Sequence, residues 1–134
     1  MEFQISHIVR IREEFDLPHL GILHFEEEGG CIGGAEYVPS VIVPYHIPRR
    51  EDTAFLTCSY LSSSENDYRS HPLERLETEL SHLGFEYLIA IASVDVAFPN
   101  GTLDWFVERG YIDQGKIYYE KRDGAEMHLV KKRL

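Results

Sequence analysis

The sequence predicts a single α/β domain of the α+β type, residues 1–134, with a mixed and mostly antiparallel sheet flanked by helices. Its length suits one domain. The strand-like segments 20–27 and 31–38 are separated by a Glu-Gly-Gly turn, which indicates an antiparallel hairpin. A leucine-striped helix over 72–83 precedes an almost continuous apolar run over 85–94. Such a run is typical of a strand that is buried on both faces beside a parallel neighbour.

The remaining segments predict elements that complete this sheet. Pro18 restricts the segment 12–20 to a short helix or turn, and three prolines make 39–50 an edge strand or an extended loop. The other expected elements, in chain order, are a strand in 1–11, a strand over 54–61, a polar loop over 62–70, a short helix over 103–109 and two strands in 111–133.

The helix over 72–83 has the clearest local signals. Four leucines at spacings of three, four and three form one apolar stripe, which we expect to face the sheet: Leu73, Leu76, Leu80 and Leu83. Pro72 suits the first helical position, and Gly84 suits a left-handed C-terminal cap.

Charge and composition exclude several classes of function. The formal net charge is −10, which disfavours a nucleic-acid partner because phosphate binding needs a positive surface. The acidity would steer a cationic amine towards the protein, or it is simply a solvated acidic surface. No apolar stretch is long enough to span a bilayer, and the N-terminus lacks a signal-peptide pattern, so we expect a cytoplasmic protein without a membrane partner.

The cysteines and histidines predict no metal site. Cys31 and Cys58 stand alone, which favours two reduced thiols, and the seven histidines show no HxH, HxxxH or HExxH spacing.

Two segments carry a family resemblance. The loop before the helix leads to a helix N-terminus, where backbone N–H groups attract phosphate. There the sequence reads Tyr-Arg-Ser-His-Pro-Leu-Glu-Arg-Leu over 68–76. It resembles the GNAT N-acetyltransferase superfamily, whose members have Arg-Gly-x-Gly-(Ile/Val)-Gly in this register. A second family spacing is matched further on, by Asn100, Leu103, Val107, Gly110 and Tyr111.

The resemblance implies a reaction and a set of cofactor-binding residues. An acyl group would pass directly from acetyl-CoA or another acyl-CoA to an amine-bearing small molecule or protein. Arg69 would hold the pyrophosphate together with backbone N–H groups of the helix start, Leu61 would end the strand that pairs with the pantetheine arm, and Asn100 would contact the cofactor. The helix-start residues concerned are Ser70, His71, Leu73, Glu74 and Arg75.

Alternatives remain open for single residues. Arg69 can equally be a solvated loop charge, and Asn100 can be an ordinary turn residue of a Pro-Asn-Gly sequence.

The sequence also departs from the family pattern. Ser70 and Pro72 replace two loop glycines, Glu74 stands at the third, and Val107 occupies the position of the usual general-acid tyrosine. Tyr118 is a candidate substitute acid. Three glutamates on or beside the hairpin are candidate bases, or else solvent-facing side chains: Glu26, Glu28 and Glu36.

The departures leave three functional hypotheses. The chain is an N-acyltransferase, or it is a catalytically silent binding or regulatory module of the same fold. The third, based on net charge alone, is an interaction protein that mimics nucleic acid. A homodimer is one open alternative for its assembly.

Overall fold

The structure is a computed structural model that describes residues 5–11, 19–25, 31–43, 47–61, 70–95, 101–120 and 125–134. Side chains are described at 34–43, 47–57, 72–95, 101–117 and 126–134. The elements, in chain order, are β1 Ile5–Ile11, β2 His19–Phe25, β3 Cys31–Pro39, a 3₁₀ turn at Ser40–Ile42, β4 Thr53–Leu61, α1 Ser70–His82, β5 Tyr87–Ser93, α2 Leu103–Glu108, β6 Ile112–Glu120 and β7 Ala125–Arg133.

The described strands form one sheet in the order β1-β2-β3-β4-β5-β7-β6. Only the β4–β5 pair is parallel, while all other neighbours are antiparallel. This confirms the mixed, mostly antiparallel sheet and the hairpin formed by β2 and β3. The strand β5 lies between β4 and β7, and β6 follows β7 at the edge. Since β5 has a neighbour on each side, it is buried from Leu88 to Ser93.

The sequence left open whether the segment 39–50 is an edge strand or an extended loop, and its described residues favour the loop. Within its described residues, 39–43 and 47–50, no strand follows β3, and the 3₁₀ turn begins at once. The Ser40 hydroxyl donates to the Arg50 carbonyl at 2.8 Å and accepts from the Arg50 N–H at 3.0 Å. The two ends of the segment are therefore tied together. The predicted helix or turn over 12–20 and the loop over 62–70 fall almost entirely outside the described residues.

The start of α1 lies two residues earlier than the sequence predicts. The helix begins at Ser70, so Pro72 is its third residue and not its first. Proline is tolerated there because the N–H groups of the first helical turn have no intrahelical partner to lose.

The leucine stripe is confirmed at three positions and wrong at the fourth. Leu73, Leu76 and Leu80 are buried at 1%, 0% and 0% exposure, whereas Leu83 is 48% exposed. The helix ends at His82, and Gly84 adopts the left-handed cap that the sequence predicts, with φ +95°.

The cap explains why Leu83 leaves the stripe. The Phe85 N–H donates to the Leu80 carbonyl at 3.0 Å, and the Gly84 N–H donates to the Ser81 carbonyl at 3.1 Å. This pair of bonds is a Schellman motif, which reverses the chain directly after the last turn. Leu83 lies inside the reversal, so helical spacing no longer decides where its side chain points.

The short helix α2 is closed at both ends. The Thr102 hydroxyl accepts from the Trp105 N–H at 3.1 Å, and Gly110 follows the helix with φ +92°. The Tyr111 N–H donates to the Phe106 carbonyl at 3.1 Å, and the two aromatic rings contact edge to face. Tyr111 is 2% exposed, so it packs in the core.

Apolar side chains cover both faces of the sheet. On the face that carries α1 and α2, the helix leucines and Phe106 pack with Ala54, Leu88 and Val130. On the opposite face, Val43 and Ile47 of the segment after β3 pack on Phe55, Ile89, Ile91, Met127 and Leu129.

The strand β6 forms one outer edge of the described sheet. Its ladder with β7 has register shifts between Asp113 and Lys116 and between Lys116 and Tyr118. Gly115 lies within the first shift and has φ +104°, a conformation that favours glycine.

Candidate active site

The parallel strands β4 and β5 form a splayed pair. Three residue pairs join them at their beginnings: Thr53 with Tyr87, Ala54 with Leu88 and Phe55 with Ile89. Within the described residues the ladder goes no further. Beyond it β4 continues along β3 to Leu61, and β5 continues along β7 to Ser93. The two strands therefore diverge into a V.

A β-bulge marks the point of divergence. Along the β3–β4 ladder Tyr37 pairs with Leu56 and the next pair is Glu36 with Cys58, which leaves Thr57 as an extra residue in β4. A bulge bends its strand and increases the local twist. Thr57 follows the last ladder pair of β4 by two residues, so the bend lies where the V opens.

The helix α1 runs from the open end of the V towards its closed end. At the closed end the Glu86 and Tyr87 N–H groups donate to the Asp52 carbonyl at 2.8 and 3.1 Å. The C-terminal end of α1, only four residues before Glu86, therefore lies near the closed end. A helix of this length extends about 20 Å. Its N-terminus accordingly points to the open end, where β4 ends.

The predicted cofactor-binding residues occupy different environments at the start of α1. Ser70 and His71 begin the helix, and Leu61 is the last residue of β4, paired with Gly33. The Leu73 side chain is buried, so only its backbone could reach a ligand. Glu74 and Arg75 are exposed in the second turn, where Arg75 Nε lies 3.3 Å from Glu79 Oε1. Arg69 and Asn100 lie outside the described residues.

Of the candidate bases, Glu36 belongs to the described residues and lies beside the bulge. It pairs with Cys58, and its neighbours Ala35 and Tyr37 pack on the face that carries α1. Because side chains alternate along a strand, Glu36 shares the opposite face with Val38. Glu26 and Glu28 lie outside the described residues.

Two further positions bear on proton transfer. Tyr118 belongs to β6, which β7 separates from β5, so its backbone is about 10 Å to the side of the V. Its side chain is not among those described. Val107 is 48% exposed on α2 and can donate no proton.

Sequence reasoning missed a polar cluster between α1 and β7. The Tyr111 hydroxyl donates to Glu77 Oε2 at 2.6 Å, and Lys132 Nζ donates to Glu77 Oε1 at 3.0 Å. Burial, followed by the negative charge of Glu77, raises the pKa of Tyr111 well above its usual value, so this phenol keeps its proton at neutral pH and donates it to Glu77. No local motif signals the cluster, because its residues are 34 and 55 positions apart.

A second missed cluster joins β6 and β7. His128 Nδ1 lies 2.8 Å from Asp113 Oδ1, and His128 Nε2 lies 2.6 Å from Glu126 Oε2. The hydrogen bonds to Glu126 and then Asp113 raise the pKa of His128, and the same bonds lower the pKa of each carboxyl. The carboxylates occupy opposite sides of the imidazole. Within the described part of the chain, no group of three or more His, Cys, Asp or Glu side chains could hold a metal ion.

Comparison with solved structures shows the fold. An acetyltransferase from Bacillus cereus ATCC 14579 superposes with a TM-score of 0.65 at 18% identity, over 87% of this chain and 73% of that one. The aminoglycoside 6'-N-acetyltransferase from Enterococcus faecium gives 0.63 at 12% identity, over 86% and 74%. The spermidine/spermine N-acetyltransferase from Vibrio cholerae gives 0.63 at 9% identity, over 86% and 65%.

The chain therefore has the fold of the GNAT N-acetyltransferases. No protein-family model matches the sequence, and no curated protein matches it. Neither helix of the described residues has the length and apolar character needed to cross a membrane.

Proposed function

We propose that this protein binds an acyl-CoA in the V between β4 and β5 and transfers the acyl group to an amine. One observation carries the proposal. The parallel ladder stops after three pairs, a bulge lies in β4 where the ladder ends, and the N-terminus of α1 points to the opening. This leaves backbone groups of two strands that the β4–β5 ladder does not use, beside a helix dipole suited to phosphate.

The residues present fit an acyl-CoA in part. The strand edge of β4 beyond Phe55 would hydrogen-bond the amides of the pantetheine arm, and the first N–H groups of α1 would meet the pyrophosphate. Pro72 supplies no N–H, so Ser70 and His71 provide the remaining donors of the first three helical residues. Arg69 would add a charged partner directly before the helix.

Transfer would proceed by direct attack. The amine nitrogen forms a bond to the thioester carbonyl carbon, the C–S bond breaks, and CoA leaves as a thiolate that takes up a proton. A base must take the proton that the attacking amine loses. Glu36 is the best placed of the described candidates, because it lies beside the bulge on the face opposite α1. Cofactor and amine would then enter the gap from opposite faces of the sheet.

The acceptor we favour is a cationic amine. The net charge of −10 would attract one. Two of the similar structures are named as a spermidine/spermine N-acetyltransferase and an aminoglycoside 6'-N-acetyltransferase. The test is calorimetric titration with acetyl-CoA, followed by thiol-release assays with spermidine and an aminoglycoside. Saturable acetyl-CoA binding and amine-dependent release of CoA support the proposal, and a protein that binds no acyl-CoA contradicts it.

The second candidate is a catalytically silent module of the same fold. Val107 in place of the tyrosine favours it, as does a helix start with Ser70 and Pro72 in place of glycines. Acetyl-CoA binding without release of CoA to any amine would support this candidate against the transferase.

A further inference from the structure

The sheet consists of two halves with a narrow connection. The strands β1 to β4 form one half and β5, β7 and β6 form the other, and the three ladder pairs between β4 and β5 join them. The helices divide in a similar way, because α1 lies mainly on β2 and β3 while α2 contacts β5, β6 and β7. Leucines of α1 also pack with Leu88 and Val130 of the other half. A change in the angle between the halves would therefore move α1 relative to α2.

One polar cluster links these halves through the helices. Glu77 of α1 accepts from Tyr111, which follows α2, and from Lys132 of β7. Lys132 Nζ also donates to the Arg109 carbonyl at 3.0 Å, at the C-terminal end of α2. We call Glu77, Tyr111 and Lys132 the Glu77 brace. It runs from the half that carries α1 to the half that carries α2.

The brace is rigid for physical reasons. Tyr111 is fully packed, the Glu77 side chain is 12% exposed and the Lys132 side chain is 28% exposed. Charge-assisted hydrogen bonds in such a site are stronger than those on the surface, and loss of one partner leaves the others desolvated and unpaired. Both carboxylate oxygens of Glu77 are engaged, so the carboxylate cannot turn without breaking a bond.

We propose that the Glu77 brace sets the opening of the V and thereby positions α1 for the cofactor. This inference rests on the proposed acyl-CoA site. Glu77 is about 10 Å along the helix axis from Ser70. A tilt of α1 about the brace therefore moves the N-terminal N–H groups through a lever arm of that length. Glu77, Tyr111 and Lys132 are positioning residues, since none of them needs to touch the cofactor.

The experiment compares variants of the brace with a matched control. Glu77→Ala removes the acceptor, Glu77→Gln keeps an acceptor oxygen, and Tyr111→Phe removes one hydroxyl while keeping the packed ring. Leu129→Ala is the control, because it creates a cavity on the sheet face opposite the helices. Two readouts are used: the acetyl-CoA Kd from calorimetry, and amide hydrogen exchange at 53–55 and 87–89, where the halves join.

We expect Glu77→Ala to weaken acetyl-CoA binding by about three- to thirtyfold and to speed exchange at the ladder, the range typical of coupling between sites. Tyr111→Phe should show a smaller change in the same direction, and Glu77→Gln should restore part of the affinity. Leu129→Ala should lower stability but leave the Kd within about twofold. If Glu77→Ala and Tyr111→Phe bind acetyl-CoA as the unaltered protein does, the inference is wrong.

The two readouts separate this inference from the proposed function. A wild-type protein that binds no acyl-CoA contradicts the acyl-CoA site, and with it the positioning role. Hydrogen exchange would still show whether the brace holds the halves together. Wild-type binding with unchanged variants contradicts the brace alone.

Discussion

Replacement of Leu76 by alanine tests how α1 is attached to the sheet. Leu76 is completely buried among the leucines of α1 and the apolar residues of the sheet. A fully buried leucine that becomes alanine costs about 2–5 kcal/mol, from lost transfer free energy and from the cavity left behind. Unfolding entropy for a chain of this length makes each kcal/mol worth about 3.5 °C in Tm. The expected decrease is therefore about 7–18 °C.

Leu83 provides the matched control. It has the same side chain and continues the same sequence spacing, but it lies in the Schellman turn at 48% exposure. Leu83→Ala should cost less than about 1 kcal/mol. Urea unfolding followed by circular dichroism measures both variants, and the helical signal of each must first match the wild type. Equal losses for the two variants, or a Leu76→Ala loss below about 0.5 kcal/mol, would refute the packing described for α1.

Three further predictions concern the cap, the histidine cluster and the loop. Gly84→Ala should cost about 1–2 kcal/mol in urea unfolding, because φ +95° strains a residue with Cβ although the space around it is open. The wild type should have a larger free energy of unfolding than His128→Gln, and the difference should be full below about pH 6.5. It should shrink as pH rises through the raised pKa of His128, because neutral imidazole donates to only one carboxylate. A difference that grows with pH contradicts this. In calorimetry, Arg69→Ala should abolish measurable acetyl-CoA binding, while a folded variant that restores three loop glycines should bind more tightly: Ser70→Gly, Pro72→Gly and Glu74→Gly.

Local sequence signals predicted most elements of the described fold. The spacing of Leu73, Leu76 and Leu80 identified the buried face of α1, and Gly84 identified its C-terminal end. These signals work because helical periodicity and left-handed caps depend on residues that are close in sequence. Leu83 was mispredicted because the spacing of leucines does not show at which residue the C-terminal cap ends the helix.

Long-range features could not be predicted in this way. The position of β7 between β5 and β6 and the bulge at Thr57 depend on pairing between distant strands. The contact of Glu77 with Lys132 joins residues that no motif relates. For the candidate site, the sequence indicated which strands and helix surround the V, and the structure added the bulge, the face on which Glu36 lies and the brace.

The interrupted edge of β6 has a consequence for how copies of this protein could meet. An incoming strand needs an even row of outward N–H and C=O groups, as occurs along a regular strand. The two register shifts and the left-handed Gly115 displace that row. The exposed Asp113 and Lys116 would also place charges at the contact between the two edge strands. A continuous sheet across two copies through this edge is therefore disfavoured. If the protein is a homodimer, we expect its subunits to associate through a surface other than the β6 edge.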